Sequence, residues 1–186
     1  PFILYEPGGH LDVTRALYRA LDDSRVHVSG ARWVPSDEYT VKLEGARVAG
    51  YQTVLMVLLR DAHYVANAQT WADDITAPPD SYSIELRLIG QNASFGDLEA
   101  REAAPVEVGV MAIVTAETAA LADELGKMLN PYLLHHPLTR DEEQPTFAFP
   151  FSPAEMPRGA VYEFALHHVL TLDDPMQAIT LEVVET

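Results

Sequence analysis

The 186-residue sequence contains no cysteine, which excludes disulfides, thiolate metal sites and thiol nucleophiles and fits a cytoplasmic home. Positive charge is scarce as well. Twelve Lys and Arg stand against 28 Asp and Glu, a formal net charge of −16. Such a chain repels phosphate backbones and anionic membrane surfaces, and no basic stripe offsets the repulsion, so nucleic acid is not an expected partner. Long apolar runs are missing too. The longest, VLMVLL at Val54–Leu59, has the length of a buried strand and falls far short of the roughly 20 residues of a spanning helix, so no membrane partner is expected. No HxH, HExxH, GxGxxG, P-loop or GxSxG spacing occurs, so neither a metal nor a cofactor is called for. Pro1-Phe2 run almost at once into acidic and glycine residues and do not read as a signal peptide. A chain that starts on Pro1 is expected to be the remainder of something longer.

What is present is an ordinary globular composition, 48% hydrophobic and 22% charged, on a length that suits one domain with a small appendage. Strand signals dominate the first fifty residues. Phe2–Tyr5 ends at Pro7-Gly8-Gly9, Arg25–Ser29 (RVHVS) alternates between two turn signals, and Tyr39–Glu44 (YTVKLE) alternates again. Thr14–Leu21 fits helix and strand equally. After Gly45 and Gly50, Tyr51–Arg60 is apolar on both faces, as a doubly covered central strand would be. Asp61 can cap a helix over Ala62–Ile75, which Pro78-Pro79 stop; Tyr82–Ile89 (YSIELRLI) alternates, with Ile84, Leu86 and Leu88 inward. Val106–Val114 is the next strand, Thr115 the N-cap of a helix over Ala116–Leu129, and Asn130-Pro131 its end. Ala160–Thr171 and Ile179–Val184 are the closing strands.

From Tyr51 the order strand, helix, strand, strand, helix, strand predicts an α+β fold. Its core is a ferredoxin-like split βαβ, two helices on one face of a mainly antiparallel sheet, with extra N-terminal β strands. The expected division is residues 1–50 as a β extension and 51–186 as the core, with a proline- and aromatic-rich crossover at 130–160.

Candidate chemistry gathers around that crossover. Leu129–Val169 carries His135-His136, His167-His168, six prolines, and Phe147, Phe149, Phe151, Tyr162 and Phe164. One histidine of the first pair, His136, and one of the second, His168, can act as acid or base, because imidazole titrates near neutral pH. The bland alternative is a pair of structural histidines. Phe149, Phe151 and Tyr162, with Ser152 among them, can wall an apolar ligand; the bland alternative is a crossover that caps the core. Ser152 lacks the flanks of a nucleophile elbow and suits a turn or cap. Lys42, on one face with Glu44, can bind an acidic or thioester substrate or form an exposed ion pair. Asp73-Asp74, Asp141-Glu142-Glu143 and Asp173-Asp174 read as solvated loops or helix ends, the second as a mobile tip.

YTVKLEGA (Tyr39–Ala46), GYQTV and the strand ending in LRD (Gly50–Asp61), LHHP (Leu134–Pro137), FAFPFSPAEMPRGAVYEF (Phe147–Phe164) and DDP (Asp173–Pro175) together resemble the acyclic terpene utilisation protein family. The resemblance spans nearly the whole chain but only the carboxyl-terminal part of the family, whose members carry an amino-terminal α/β region absent here. TAPPDSY follows the first helix sooner than the family pattern leads one to expect. The resemblance implies a place in bacterial breakdown of acyclic terpenoids such as citronellol and geraniol, through acyl-CoA thioesters and a biotin-dependent carboxylase. It carries over no catalytic residue. Two expectations follow. One is an assembly or accessory domain, forming homo-oligomers and working with the absent α/β region and with acyl-CoA carboxylase components as candidate partners. The other is an enzyme domain that uses Lys42, His136 and His168 on a branched apolar acyl substrate.

Overall fold

The computed structural model describes residues 2–75, 82–101 and 105–184, which are mixed α and β with antiparallel sheets. They divide into two compact units, residues 1–47 with 163–186, and residues 48–162. The first boundary falls at Arg47/Val48, and the carboxyl-terminal residues from Glu163 onward group with the N-terminal strands rather than with 48–162.

In the second unit the core is built on three ladders' worth of alternation. Strand β8 (Val108–Ala116) is paired antiparallel on both sides, with β6 (Thr40–Leu59) from Tyr51↔Ala116 to Leu59↔Val108 and with β7 (Tyr82–Ile89) from Tyr82↔Ala116 to Ile89↔Gly109. With β9 (Met156–Thr171), the sheet order is β7-β8-β6-β9. Successive side chains point to opposite faces, so Thr53, Leu55, Val57 and Leu59 are buried together with Val108, Val110, Ala112 and Val114. Helices α2 (Ala68–Ile75) and α3 (Ala119–His135) supply Trp71, Ala72, Ala122, Leu125, Leu129 and Leu133 to the same core. The opposite face of β6, Val54, Met56 and Leu58, is only half-buried, so the expected double cover is incomplete.

Several expected boundaries shift, each for a physical reason. β6 is one strand of 20 residues, not two, and Gly45 and Gly50 lie inside it. A Cβ on Gly50 would stand 3.0 Å from the Ala116 carbonyl oxygen, and one on Gly45 would stand 3.3 Å from Leu166 Cβ. These glycines permit close approach of a neighbouring strand instead of punctuating the chain. Thr115 lies within β8 and accepts a bond from Gln52 Nε2 at 3.0 Å. The N-cap of α3 is Thr118, whose hydroxyl accepts from Leu121 N–H. Pairing on both edges carries β8 past the first capping-competent threonine.

Pro131 does not end α3, which continues to His135. Buried Leu133, the His136 N–H bond to Tyr132 O and the Asn130 Nδ2 bond to Glu155 Oε1 hold the last turn despite the missing donor. The expected helix over Ala62–Ile75 is two pieces, α1 (Ala62–Ala66) and α2, broken at Asn67. Asp61 caps the first by accepting from His63 N–H at 2.8 Å. The Pro78-Pro79 stop and part of TAPPDSY lie outside the described residues.

Among the described residues of the first unit the regular elements are strands. β1 (Ile3–Glu6), β2 (Gly9–Asp12) and β5 (Arg32–Pro35) make one antiparallel sheet, and β3 (Leu17–Asp22) with β4 (Arg25–Ser29) makes a hairpin. Within the ambiguous Thr14–Leu21, Thr14 and Arg15 form a turn and strand begins at Leu17, and β2 and β5 are additions to the expected elements. Leu172 is the one buried hydrophobic side chain among this unit's described residues. Ile179–Val184, expected as a last strand, alternates in sequence but joins no ladder among the described residues.

Candidate functional site

The end of α3 builds the most featured site of the second unit. Fully buried Trp71 of α2 donates its indole N–H to the His136 carbonyl at 2.9 Å, which fixes the residue that caps α3. The His136 side chain, 20% exposed, then places Nε2 2.7 Å from Asp74 Oδ2. A carboxylate only accepts, so Nε2 carries the proton of this bond. His135 is held the other way round. Its Nδ1 lies 2.9 Å from the Pro145 carbonyl oxygen, so here Nδ1 is the donor. Both imidazoles, with Pro131, Tyr132, Pro137 and Gln144, line an open groove of about 410 Å³. A carboxylate that orients an imidazole and fixes its tautomer is the second half of a general-base dyad.

A second cluster ties the crossover to α1. Glu142 accepts from Tyr64 O–H at 3.2 Å and from Leu138 N–H at 3.1 Å, and its other oxygen lies 3.0 Å from His63 Nε2. These bonds, the His63 bond foremost, hold its carboxyl below the usual range, while burial first and Glu142 second push the Tyr64 phenol up. The expected mobile tip is thus a clasp. Above it Phe147 is buried edge-on against Tyr64 and Trp71, with ring centroids 4.9 and 5.6 Å away.

The remaining candidates lie as follows. Phe149 is half-buried against the core, Phe151 is half-buried, Ser152 is exposed, and Tyr162 is 68% exposed. Lys42 and His168 belong to the first unit and His136 to the second. Lys42 Nζ sits 3.0 Å from Glu44 and 3.2 Å from Glu6, and these two carboxylates, Glu44 foremost, raise its pKa. It is therefore a clamped cation and not a base, the reverse of the lowered pKa that burial would have given. His168 stands beside His167 on β9, where His167 Nδ1 is 3.9 Å from Glu44 Oε1 and its ring 6.1 Å from that of Phe164.

Asp74 and Glu142 were legible only as members of acidic runs. Asp74 did carry a signal: a carboxylate in the last turn of a helix opposes the dipole and needs a donor. Nothing in the sequence distinguishes Glu142 from its neighbours Asp141 and Glu143.

Among the described residues no three His, Asp or Glu converge as a metal site, and no helix is long and apolar enough to cross a membrane. Comparison with protein-family models, with curated proteins and with solved structures gives no match.

Proposed function

We propose that this chain is an assembly or accessory domain, or one that contacts substrate, of a bacterial catabolic protein of the acyclic terpene utilisation kind. The motifs quoted above support the family. The order β7-β8-β6-β9, with helices following β6 and β8, supports a ferredoxin-like split βαβ core. The observation that carries the assembly role is the first unit's surface. Every residue of β3 and β4 is exposed, Leu17 at 71% and Tyr18 at 67% among them. So dense a set of exposed apolar side chains marks an interaction surface. Homo-oligomers come first as partners, then the α/β region of the same protein and acyl-CoA carboxylase components. Light scattering of the chain at micromolar concentration tests this reading: a stable oligomer is expected, and a monomer at every concentration removes it.

The Asp74–His136 pair favours a second reading, an enzyme domain with His136 as base on a branched acyl-CoA thioester. Under it, the full-length protein turns over such a thioester and His136→Gln abolishes turnover, while Asp74→Asn shifts the pH–rate profile. Lys42 and His168 belong to the other unit, and this reading rests on His136 and Asp74 alone.

A further inference from the structure

Among its described residues the first unit holds both a groove along strand edges and an alternating segment that joins no ladder. β1 and β9 are each terminal in their sheets, and a groove of about 400 Å³ is lined by Ile3, Leu4 and Tyr5 of β1 and His167, His168 and Val169 of β9. Side chains alternate faces along a strand. A groove bounded by three consecutive residues on each side therefore runs along strand edges, where unpaired backbone groups lie, and not across a pleated face. Such an edge templates another strand unless charge or proline blunts it. Here it is not blunted. Between Glu163 and Leu170 the one formal charge is Glu163, tied to Arg47 at 2.5 Å, and on β1 Glu6 is tied to Lys42.

The segment is Ile179–Val184, ITLEVV. Ile179, Leu181 and Val183 alternate with Thr180 and Glu182, and β-branched residues supply most of the segment. It stands out in solvent, with Leu181 74% and Val183 80% exposed. Its apolar row can share one face with Val169, and Glu182, on the other face, suits the N–H of His168.

We propose that Ile179–Val184 of a second copy of this chain adds as a strand in this groove, and that the exchange is reciprocal. The segment leaves its own β9 through a turn held by Gln177 N–H to Asp174 O and Ile179 N–H to Met176 O, after which it joins no ladder among the described residues. A two-fold exchange fills both grooves and buries both apolar rows with one type of contact. The inference deepens the assembly reading and rests on it.

The test compares the 186-residue chain with a form truncated after Ala178 and with Leu181→Lys and Val183→Lys, whose exposed positions leave the monomer fold intact. Light scattering and sedimentation are expected to find a dimer that each change weakens roughly 30-fold or more, the scale of a lost hot spot. Because the chain has no cysteine, Tyr5→Cys protein mixed with Leu181→Cys protein and oxidised is expected to give a cross-linked heterodimer. A dimer that survives truncation overturns the exchange and leaves the assembly reading standing, whereas a monomeric full chain overturns both. A Tyr5→Cys/Leu181→Cys double variant that closes within one chain gives the groove to the chain's own tail and overturns the second copy as occupant.

Discussion

Residues 48–162 and residues 1–47 with 163–186 draw on the same alphabet of Val, Leu, Tyr and Phe, yet one part buries them and the other displays them. β8 hides Val108, Val110 and Val114 completely, while β4 leaves Val26 and Val28 exposed at 58% and 47%. Alternation is present in both. The difference is a covering layer: α2 and α3 lie on the first of these strands, and the hairpin has none within its own unit. A sheet face becomes core only when another layer covers it, and hairpins of two strands are marginal alone. The apolar pattern of the first unit therefore reads as surface prepared for contact.

The largest test of that contrast is Trp71→Ala. The side chain is fully buried, edge-on to Phe147, and donates to His136 O. Its removal is expected to cost about 3–5 kcal/mol in urea denaturation, and to free the cap that positions His136. Trp71→Phe, which keeps most of the volume, should recover much of this loss.

Gly126→Ala comes next and pits two effects against each other. Alanine gains up to about 1 kcal/mol of helix propensity. Its Cβ, however, would lie 2.8 Å from Thr53 Cγ2 and 3.5 Å from Leu55 Cδ1, and Thr53 is held in place by its 2.5 Å bond to Asp123. Overpacking at a fixed neighbour costs about 1–3 kcal/mol, so net destabilisation is expected in the same assay. An unchanged midpoint would mean that α3 can lift off the sheet.

Glu142→Gln probes the clasp. The folded pKa of Glu142 lies below its ordinary 4.5, so its contribution is fully present above that value and is lost as pH falls through the folded pKa. The variant should melt earlier than the parent at neutral pH, and the gap should close in acid. A gap independent of pH would show that the bonds to Tyr64 O–H and Leu138 N–H act through shape alone.

How much of this the sequence revealed follows the same division. Where alternation meets a covering layer, reading it succeeds: Tyr82–Ile89 is placed to the residue, and the inward set Ile84, Leu86 and Leu88 is the less exposed face. Where punctuation is overruled by tertiary contact it fails. Gly45 and Gly50 sit mid-strand, Pro131 sits mid-helix, and Thr115 yields its capping role to Thr118. Ile179–Val184 has a strand's pattern without a strand's partner, which local sequence cannot report. At the site, His136 was visible as a residue, but its role depends on Asp74, 62 positions away, and on the Trp71 bond that fixes its backbone.

The smallest expected effect is the one most able to break the contrast. Leu17→Ala and Tyr18→Ser remove large apolar groups, as Trp71→Ala does, but from positions 71% and 67% exposed. Exposed substitutions away from caps and networks stay within about 0.5 kcal/mol, so the urea midpoint of dilute protein should hardly move. Raised protein concentration supplies the control, because any interface formed by the hairpin stabilises the folded form by mass action. A midpoint that falls with these substitutions only at high concentration places β3 within an assembly contact. A fall of 2 kcal/mol or more in dilute protein means that the hairpin is covered by its own chain, and the distinction between the two units then dissolves.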